Sequence, residues 1–193
     1  MGQSVNWAAL RVLALRVARE PRLAVPRRVV RTIADVDWAA LRADAGVRCV
    51  VFDKDNTLTA PYADEVHASV RASLRQCVAV FGAANVCIMS NSAGTPDDKG
   101  ARWQRAVEAA TALSVVVHRD KKPLGFGDAL AHLGCDSAAH VAVVGDRLLT
   151  DTVMGNLAGA LTIHCSQTLE TRGDNVAARV VRVVENALLR LVT

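Results

Sequence analysis

The chain has 193 residues, 51% hydrophobic and 22% charged, with a formal net charge of +4. That length suits one domain with an appendage, and the composition supports a sizeable core, which excludes a disordered or low-complexity chain. The five cysteines form no CxxC pair and the five histidines no HExxH spacing, which argues against a disulfide framework and against zinc.

Residues 1–34 hold seven arginines (Arg11, Arg16, Arg19, Arg22, Arg27, Arg28, Arg31) against one acid, Glu20, so the basic character belongs to the N-terminal segment. On charge alone, its partner is an anionic surface: membrane, nucleic acid or an import receptor. WAALRVLALRVARE (7–20) has helical character, with Trp7, Leu10, Leu13 and Val17 on one face and Arg11, Arg16 and Arg19 opposite. Val12 and Leu15 interrupt the basic face, so a helix packed on its own domain and a membrane-surface helix both remain open. Pro21 and Pro26 end it.

After Gly46 the pattern becomes regular. RCVVFD (48–53) is a continuous apolar run, as expected of a strand buried on both faces. A helix is predicted over 63–81, a strand over 85–90, a helix over 101–113 and a strand over 114–118. A helix within 124–134, a strand over 140–146, a short helix around 149–158 and a strand over 160–165 follow, and 174–192 reads as a closing helix. The uncharged run 76–96 contains Gly82, Asn85, Asn91, Gly94 and Pro96, so it reads as helix end, strand and loop; neither a transmembrane helix nor a secretory signal peptide is expected. Cys49 and Cys87 fall inside apolar runs, as packed, reduced thiols do. Strands alternating with helices predict an α/β fold, a doubly wound parallel sheet of about five strands, with residues 1–45 as a basic segment and 46–193 as the domain.

In such sheets ligands bind at the carboxyl ends of the strands. The first predicted strand ends in Asp53-Lys54-Asp55-Asn56-Thr57 and the second in Ser90-Asn91-Ser92-Ala93-Gly94. Asp120-Lys121-Lys122-Pro123 follows the third, and the fourth ends in Gly145-Asp146-Arg147 with Asp151 five residues beyond Asp146. Any one cluster is a weak signal; four on successive strand ends serve one rim. A carboxylate can attack phosphorus to give an aspartyl phosphate, and attack on an anionic ester needs its charge neutralised, as Mg²⁺ does. Residues i and i+2 share one side of a strand, so Asp53 and Asp55 reach one small volume, and Asp146 adds oxygen from a neighbouring strand. A serine hydroxyl with backbone N–H groups, and a lysine ammonium, suit phosphoryl oxygens.

DKDNT, strand-end Ser90, Lys122-Pro123 and GDRLLTD resemble, in order, the four motifs of the haloacid dehalogenase-like phosphatases, over roughly residues 47–166. The resemblance implies Asp53 as nucleophile and Asp55 as general acid and then base. It implies Ser90, Asn91 and Lys122 on the substrate phosphate, and Thr57 and Asp151 in support. Mg²⁺ would be held by Asp53, Asp146 and Asp55, the last through its backbone carbonyl. VVFDKDNTLTAPY, SNSAGTPDD, VVHRDKKPLG and VAVVGDRLLTDTVMGNLAGALT are similar, more narrowly, to the mitochondrial phosphatidylglycerophosphate phosphatases, which act on the route to cardiolipin. Lys54 between the aspartates is one of the more discriminating features of that likeness. It implies a lipid substrate, no nucleic-acid partner, and a peripheral place on the matrix side of the mitochondrial inner membrane. Asp55 to Ser90 is 35 residues and Ser90 to Lys122 is 32, which leaves no room for a large cap domain. An uncapped site admits a membrane head group, and equally a soluble ester, a protein or a nucleic-acid end. A catalytically silent membrane-binding module is the reading from another class, and the intact Asp53, Asp55, Lys122 and Asp146 argue against it.

Overall fold

The apolar run at 49–52 is an inner strand of a six-stranded sheet in the computed structural model of the protein, which describes residues 15–170 and Glu185. The strands are β1 (Arg28–Val30), β2 (Cys49–Phe52), β3 (Val86–Ile88), β4 (Ser114–Val115), β5 (Val141–Gly145) and β6 (Leu161–Cys165). Their order is β1-β6-β5-β2-β3-β4, with every pairing parallel. Among the fully described elements, these α-helices connect or flank them: α1 (Trp38–Asp44), α2 (Arg71–Phe81), α3 (Arg102–Thr111), α4 (Phe126–Leu133) and α5 (Val153–Ala158).

Alternation along β2 explains why the whole run is apolar. Val50 and Phe52 pack with Ile33, Trp38, Leu41, Leu74, Phe81 and Val107, from the side of α1, α2 and α3. Cys49 and Val51 face the opposite layer, with Phe126, Ala129, Leu133 and Met154 of α4 and α5. Burial on both faces is what a helix-covered parallel sheet imposes.

The sheet has one strand more than the five predicted, and the extra one lies in the basic segment. β1 pairs with β6 through Arg28↔Ile163, Val29↔His164 and Val30↔Cys165. Only two apolar residues stand between Arg28 and Arg31, so the sequence pattern is too short to announce a strand; charge flanking an edge strand also discourages a further partner. Residues 33–41 then enter the core. Ile33 and Leu41 are fully buried, and the Trp38 indole lies edge-on to Phe52 and Phe81, with centroids 5.7 and 6.5 Å away. Its N–H donates to Ser73 Oγ at 2.8 Å, and that hydroxyl donates to the Ile33 carbonyl at 2.6 Å. Residues 21–44 are therefore integrated with the sheet, whereas composition predicts a separate segment through residue 45.

Two other boundaries move. The helix predicted over 63–81 begins only at Arg71; Val66 and Val70 have the i, i+4 spacing of a helix face, but Val66 bridges to Thr59 in an irregular loop. The helix predicted around 149–158 opens as a π-helical turn, Leu148–Thr152, before α5. Most of the 7–20 helix and the closing helix 174–192, apart from Glu185, lie outside the described residues.

Trp38→Ala removes a large ring and leaves the Ser73 hydroxyl without its donor. It is expected to lower the unfolding free energy by about 3–5 kcal/mol, read from urea midpoints at unchanged m-value.

Burial pushes the thiols of Cys77 and Cys87 up to about 12 and that of Cys49 to about 11, with Cys135 adding to the last. At pH 8 a polar thiol reagent is expected to modify Cys135, which is partly exposed, and to reach the other four only after denaturation. The fold holds protons that an unfolded chain releases above about pH 8.5, so stability is expected to fall as pH rises from about 9 towards 12.

Candidate active site

β2 ends where the Asp53 N–H completes the ladder to the Val144 carbonyl at 2.8 Å. The chain then turns sharply: the Lys54 carbonyl accepts from the Leu58 and Thr59 N–H groups at 2.9 and 3.0 Å, and Asn56 takes a positive φ of 61°. This turn leaves the Asp53 carboxylate at the strand end, in direct contact with the Lys122 ammonium. The same ammonium lies 2.7 Å from Asp151 Oδ1. Side-chain exposure is 2% for Lys122 and 4% for Asp151.

Asp151 reaches this position because residue 145 is glycine. A Cβ at Gly145 would stand 2.4 Å from the Asp151 carboxyl carbon, so the aspartate lies against bare backbone. The π-helical turn folds it there, and its Oδ2 accepts from the Arg147 N–H and the Thr150 hydroxyl, both at 3.3 Å. Asp146 is 1% exposed, and oxygens of Asp53, Asp146 and Asp151 all lie within 4.8 Å of one another.

Three carboxylates thus cluster here, and two of them, Asp53 and Asp151, hold the Lys122 ammonium. Burial raises the Asp53 carboxyl above its ordinary value, and Asp151 adds to the rise while Lys122 opposes it. Burial disfavours the Lys122 charge, but Asp151 and then Asp53 outweigh it and hold the ammonium above the usual lysine range. The excess of anionic oxygen over cation, at the carboxyl ends of two inner strands, fits a hard divalent ion.

Asp55 stands apart from that trio. Its Oδ1 accepts from Lys54 Nζ at 2.8 Å and from the Tyr62 N–H at 2.9 Å, and its side chain is 35% exposed. Its carboxylate is thus aimed by two donors yet accessible from outside. Thr57 is buried at 1%, and its hydroxyl has no hydrogen-bond partner among the described residues.

Ser90 follows β3, with its Oγ 3.0 Å from Ser92 Oγ and accepting from the Ser92 N–H at 3.2 Å. The Asn91 side chain turns to the lysine loop, where its Oδ1 accepts from the Lys122 N–H at 2.8 Å. The turn beyond needs Gly94, whose φ is 75° and where a Cβ would meet the Val116 carbonyl oxygen at 2.3 Å. Asp98 secures the start of α3. Burial alone would raise its carboxyl, but N–H bonds from Trp103, Gln104 and Gly94 lower it below the ordinary value. Lys121 Nζ meets Asp97 Oδ2 at 2.6 Å and ties this loop to the lysine loop.

Two residues escape the motif reading. His118 is 3% exposed and its ring touches the carbonyl oxygens of Ser90 and Asp120 at 2.9 and 2.7 Å. Glu185, 1% exposed, accepts from Nε of Arg147, the residue after Asp146, at 3.1 Å and from the Leu149 N–H at 3.0 Å. His118 precedes Lys122 by four positions, which is the one local signal it offered; Glu185 offered none.

A family model described as Mitochondrial PGP phosphatase matches residues 8–170, which takes in all six strands and the four strand-end clusters. The chain belongs to this family. Phosphatidylglycerophosphate phosphatase 1, chloroplastic, of Chlamydomonas reinhardtii is 40% identical over 185 residues, covering 95% of this chain and 67% of that protein. The chloroplastic/mitochondrial phosphatidylglycerophosphate phosphatase 1 of Arabidopsis thaliana is 37% identical, covering 98% and 54%. A mitochondrial phosphatidylglycerophosphatase of Saccharomyces cerevisiae is 31% identical, covering 76% and 80%. The chain spans about two thirds of the first relative's length and about half of the second's. In this member of the PGP phosphatase family, the family match begins upstream of β1, in keeping with the packing of residues 21–44 on the sheet.

Gly145→Ala forces the Asp151 side chain off the backbone and away from Lys122. Phosphate release from an aryl phosphate is expected to fall about 10²-fold, the effect of roughly ångström-scale misplacement, in a protein whose circular dichroism stays native.

Proposed function

We propose that the protein is a Mg²⁺-dependent phosphatidylglycerophosphate phosphatase that works through an aspartyl phosphate on a membrane surface. The observation that carries this reading is the buried Lys122 ammonium between Asp53 and Asp151, with Asp146 alongside, in a chain whose relatives are named for that substrate. Asp53 and Asp146 would hold the ion, beside Asp151 and with the Asp55 backbone carbonyl as the further ligand that the resemblance implies. When bound, Mg²⁺ supplies positive charge against the phosphate oxygens.

The chain's own groups account for both half-reactions. A carboxylate oxygen of Asp53 attacks phosphorus; the new O–P bond forms as the bond from phosphorus to the glycerol oxygen breaks. Asp55 gives its proton to that leaving oxygen, from a carboxyl held by Lys54 and the Tyr62 N–H at the open side of the site. Asp55, now a carboxylate, takes a proton from water as the water oxygen attacks phosphorus. The acyl-phosphate bond breaks, inorganic phosphate leaves, and the Asp53 carboxylate is restored. Ser90 and Lys122 hold the phosphoryl oxygens throughout, the lysine fixed by its two carboxylates.

The connection from β2 to β3 holds the irregular loop 53–70 and α2, and that from β3 to β4 holds α3; neither has room for a large cap domain, so a head group can enter without leaving the bilayer. Among the described residues no helix is long and apolar enough to cross a membrane. A peripheral hold by the N-terminal arginines, each attracted to anionic lipid by about 1 kcal/mol near the surface, fits that picture. On this reading the enzyme serves cardiolipin synthesis from the matrix side of the mitochondrial inner membrane.

The test is phosphate release by full-length protein from phosphatidylglycerophosphate in vesicles, compared with soluble sugar and aryl phosphates, with Mg²⁺ or with chelator. The lipid is expected to be preferred, chelator to abolish turnover, and Asp53→Asn to lose roughly 10³-fold or more because the covalent route is closed. Near-normal turnover by folded Asp53→Asn protein sinks the nucleophile assignment, and preference for soluble esters sinks the lipid assignment.

A further inference from the structure

We infer that His118 is a positioning residue for phosphate binding, one that locks the Ser90 turn and the Lys122 loop into a single anion-binding frame. The inference rests on the phosphate-binding role proposed above for Ser90 and Lys122. Among the described residues His118 hydrogen-bonds to Ser90, Asp120 and Gly94 and to none of the three clustered carboxylates, and the reaction as described makes no use of it.

Its ring spans the two segments. Nε2 lies 2.9 Å from the Ser90 carbonyl oxygen and Nδ1 lies 2.7 Å from the Asp120 carbonyl oxygen. Both partners only accept, so the ring must donate: a neutral imidazole through one nitrogen, an imidazolium through both. The backbone adds a third link, since the His118 N–H donates to the Gly94 carbonyl at 3.0 Å. Gly125 closes the lysine loop over the ring. Its φ is 79°, and a Cβ there would stand 2.8 Å from the Asp120 carbonyl oxygen and 3.7 Å from His118 Nδ1.

A peptide unit is planar, so gripping its carbonyl fixes its N–H on the other side. Holding the Ser90 carbonyl sets the Asn91 N–H, and holding the Asp120 carbonyl sets the Lys121 N–H. The first of these belongs to the turn that presents the Ser90 hydroxyl. The second immediately precedes Lys122, whose own N–H is held by Asn91. One buried ring thereby fixes the relative placement of the hydroxyl and the ammonium that must meet the same phosphoryl group. An ordinary core histidine that merely satisfies its hydrogen bonds would contribute stability alone. The distinguishing feature is that both of its partners sit in the two loops that bear the phosphate-binding groups.

The test uses full-length His118→Phe and His118→Gln proteins, inorganic phosphate as probe in the presence of Mg²⁺, and Mg²⁺ alone as control, by calorimetry, with kcat and KM measured on an aryl phosphate. His118→Phe keeps bulk and removes the ring's hydrogen-bonding capacity. It is expected to weaken phosphate binding about tenfold, the scale of one lost buried hydrogen bond. KM is expected to rise with it, while Mg²⁺ affinity stays within about twofold, because Asp53, Asp146 and Asp151 are held from β2 and β5. His118→Gln keeps an amide donor and is expected to recover part of the phosphate affinity. Wild-type phosphate affinity in folded His118→Phe overturns the inference, as does equal loss of Mg²⁺ and phosphate, which marks general collapse. Should the Phe variant not fold, His118→Gln decides: undiminished affinity overturns the inference, and a severalfold loss at native melting temperature supports it. Wild-type protein that neither binds inorganic phosphate nor releases it from any ester overturns the phosphatase reading itself, and this inference with it.

Discussion

The Lys122 ammonium is buried between carboxylates from two separate elements, Asp53 at the end of β2 and Asp151 in the turn after β5. Neither side of this contact is tolerable alone. A buried charge stripped of its partner costs about 3–5 kcal/mol, so the lysine loop, the β2 end and the π-helical turn must close on one another or not at all. Closure nevertheless leaves more carboxylate than ammonium at the site. The structure thereby builds a place that repels further anions until a cation is added, and a fixed positive charge that can meet a phosphoryl group once one has been.

Close backbone packing makes that convergence possible. Gly145 lets Asp151 lie on the strand end, and Gly94 lets the Ser90 turn come against the Val116 carbonyl. At both positions a side chain would occupy the space that a functional loop needs. Asp98, His118 and the Lys121–Asp97 pair then fasten the loops from outside the reacting centre. Rigid support of this kind matters because charge stabilisation in a low-dielectric site depends on donors that need no rearrangement during reaction.

Part of the N-terminal region has a structural role that its basic composition does not announce. Residues 21–44 complete the sheet edge and one face of the core through β1, Ile33, Trp38 and Leu41. Asn156, from α5, adds bonds to the Leu23 and Val25 carbonyls at 2.9 Å. Any surface attachment by this region therefore starts from a segment anchored to the catalytic domain, which would hold the active-site rim in a fixed relation to the surface.

The amino-acid sequence makes the α/β alternation, the inner strands and the four polar clusters legible, because buried parallel strands demand continuous apolar runs and their carboxyl ends demand turns. It also placed Asp53, Asp55, Ser90, Lys122, Asp146 and Asp151 at one rim, since chain order and strand polarity suffice for that. Tertiary structure alone decided what touches what. It grouped Asp151 with Asp53 and Asp146 while setting the Asp55 carboxylate apart with Lys54. It turned Asn91 to the lysine loop and brought His118 and Glu185 to the site from positions with little or no motif. It also made a strand of Arg28–Val30, whose two apolar residues form no pattern until β6 offers an unpaired edge. Periodicity records which side of an element is buried. Contacts between residues 29 to 69 positions apart, such as Lys122 with Asp151 and with Asp53, depend on how separate elements close together, which no local pattern encodes.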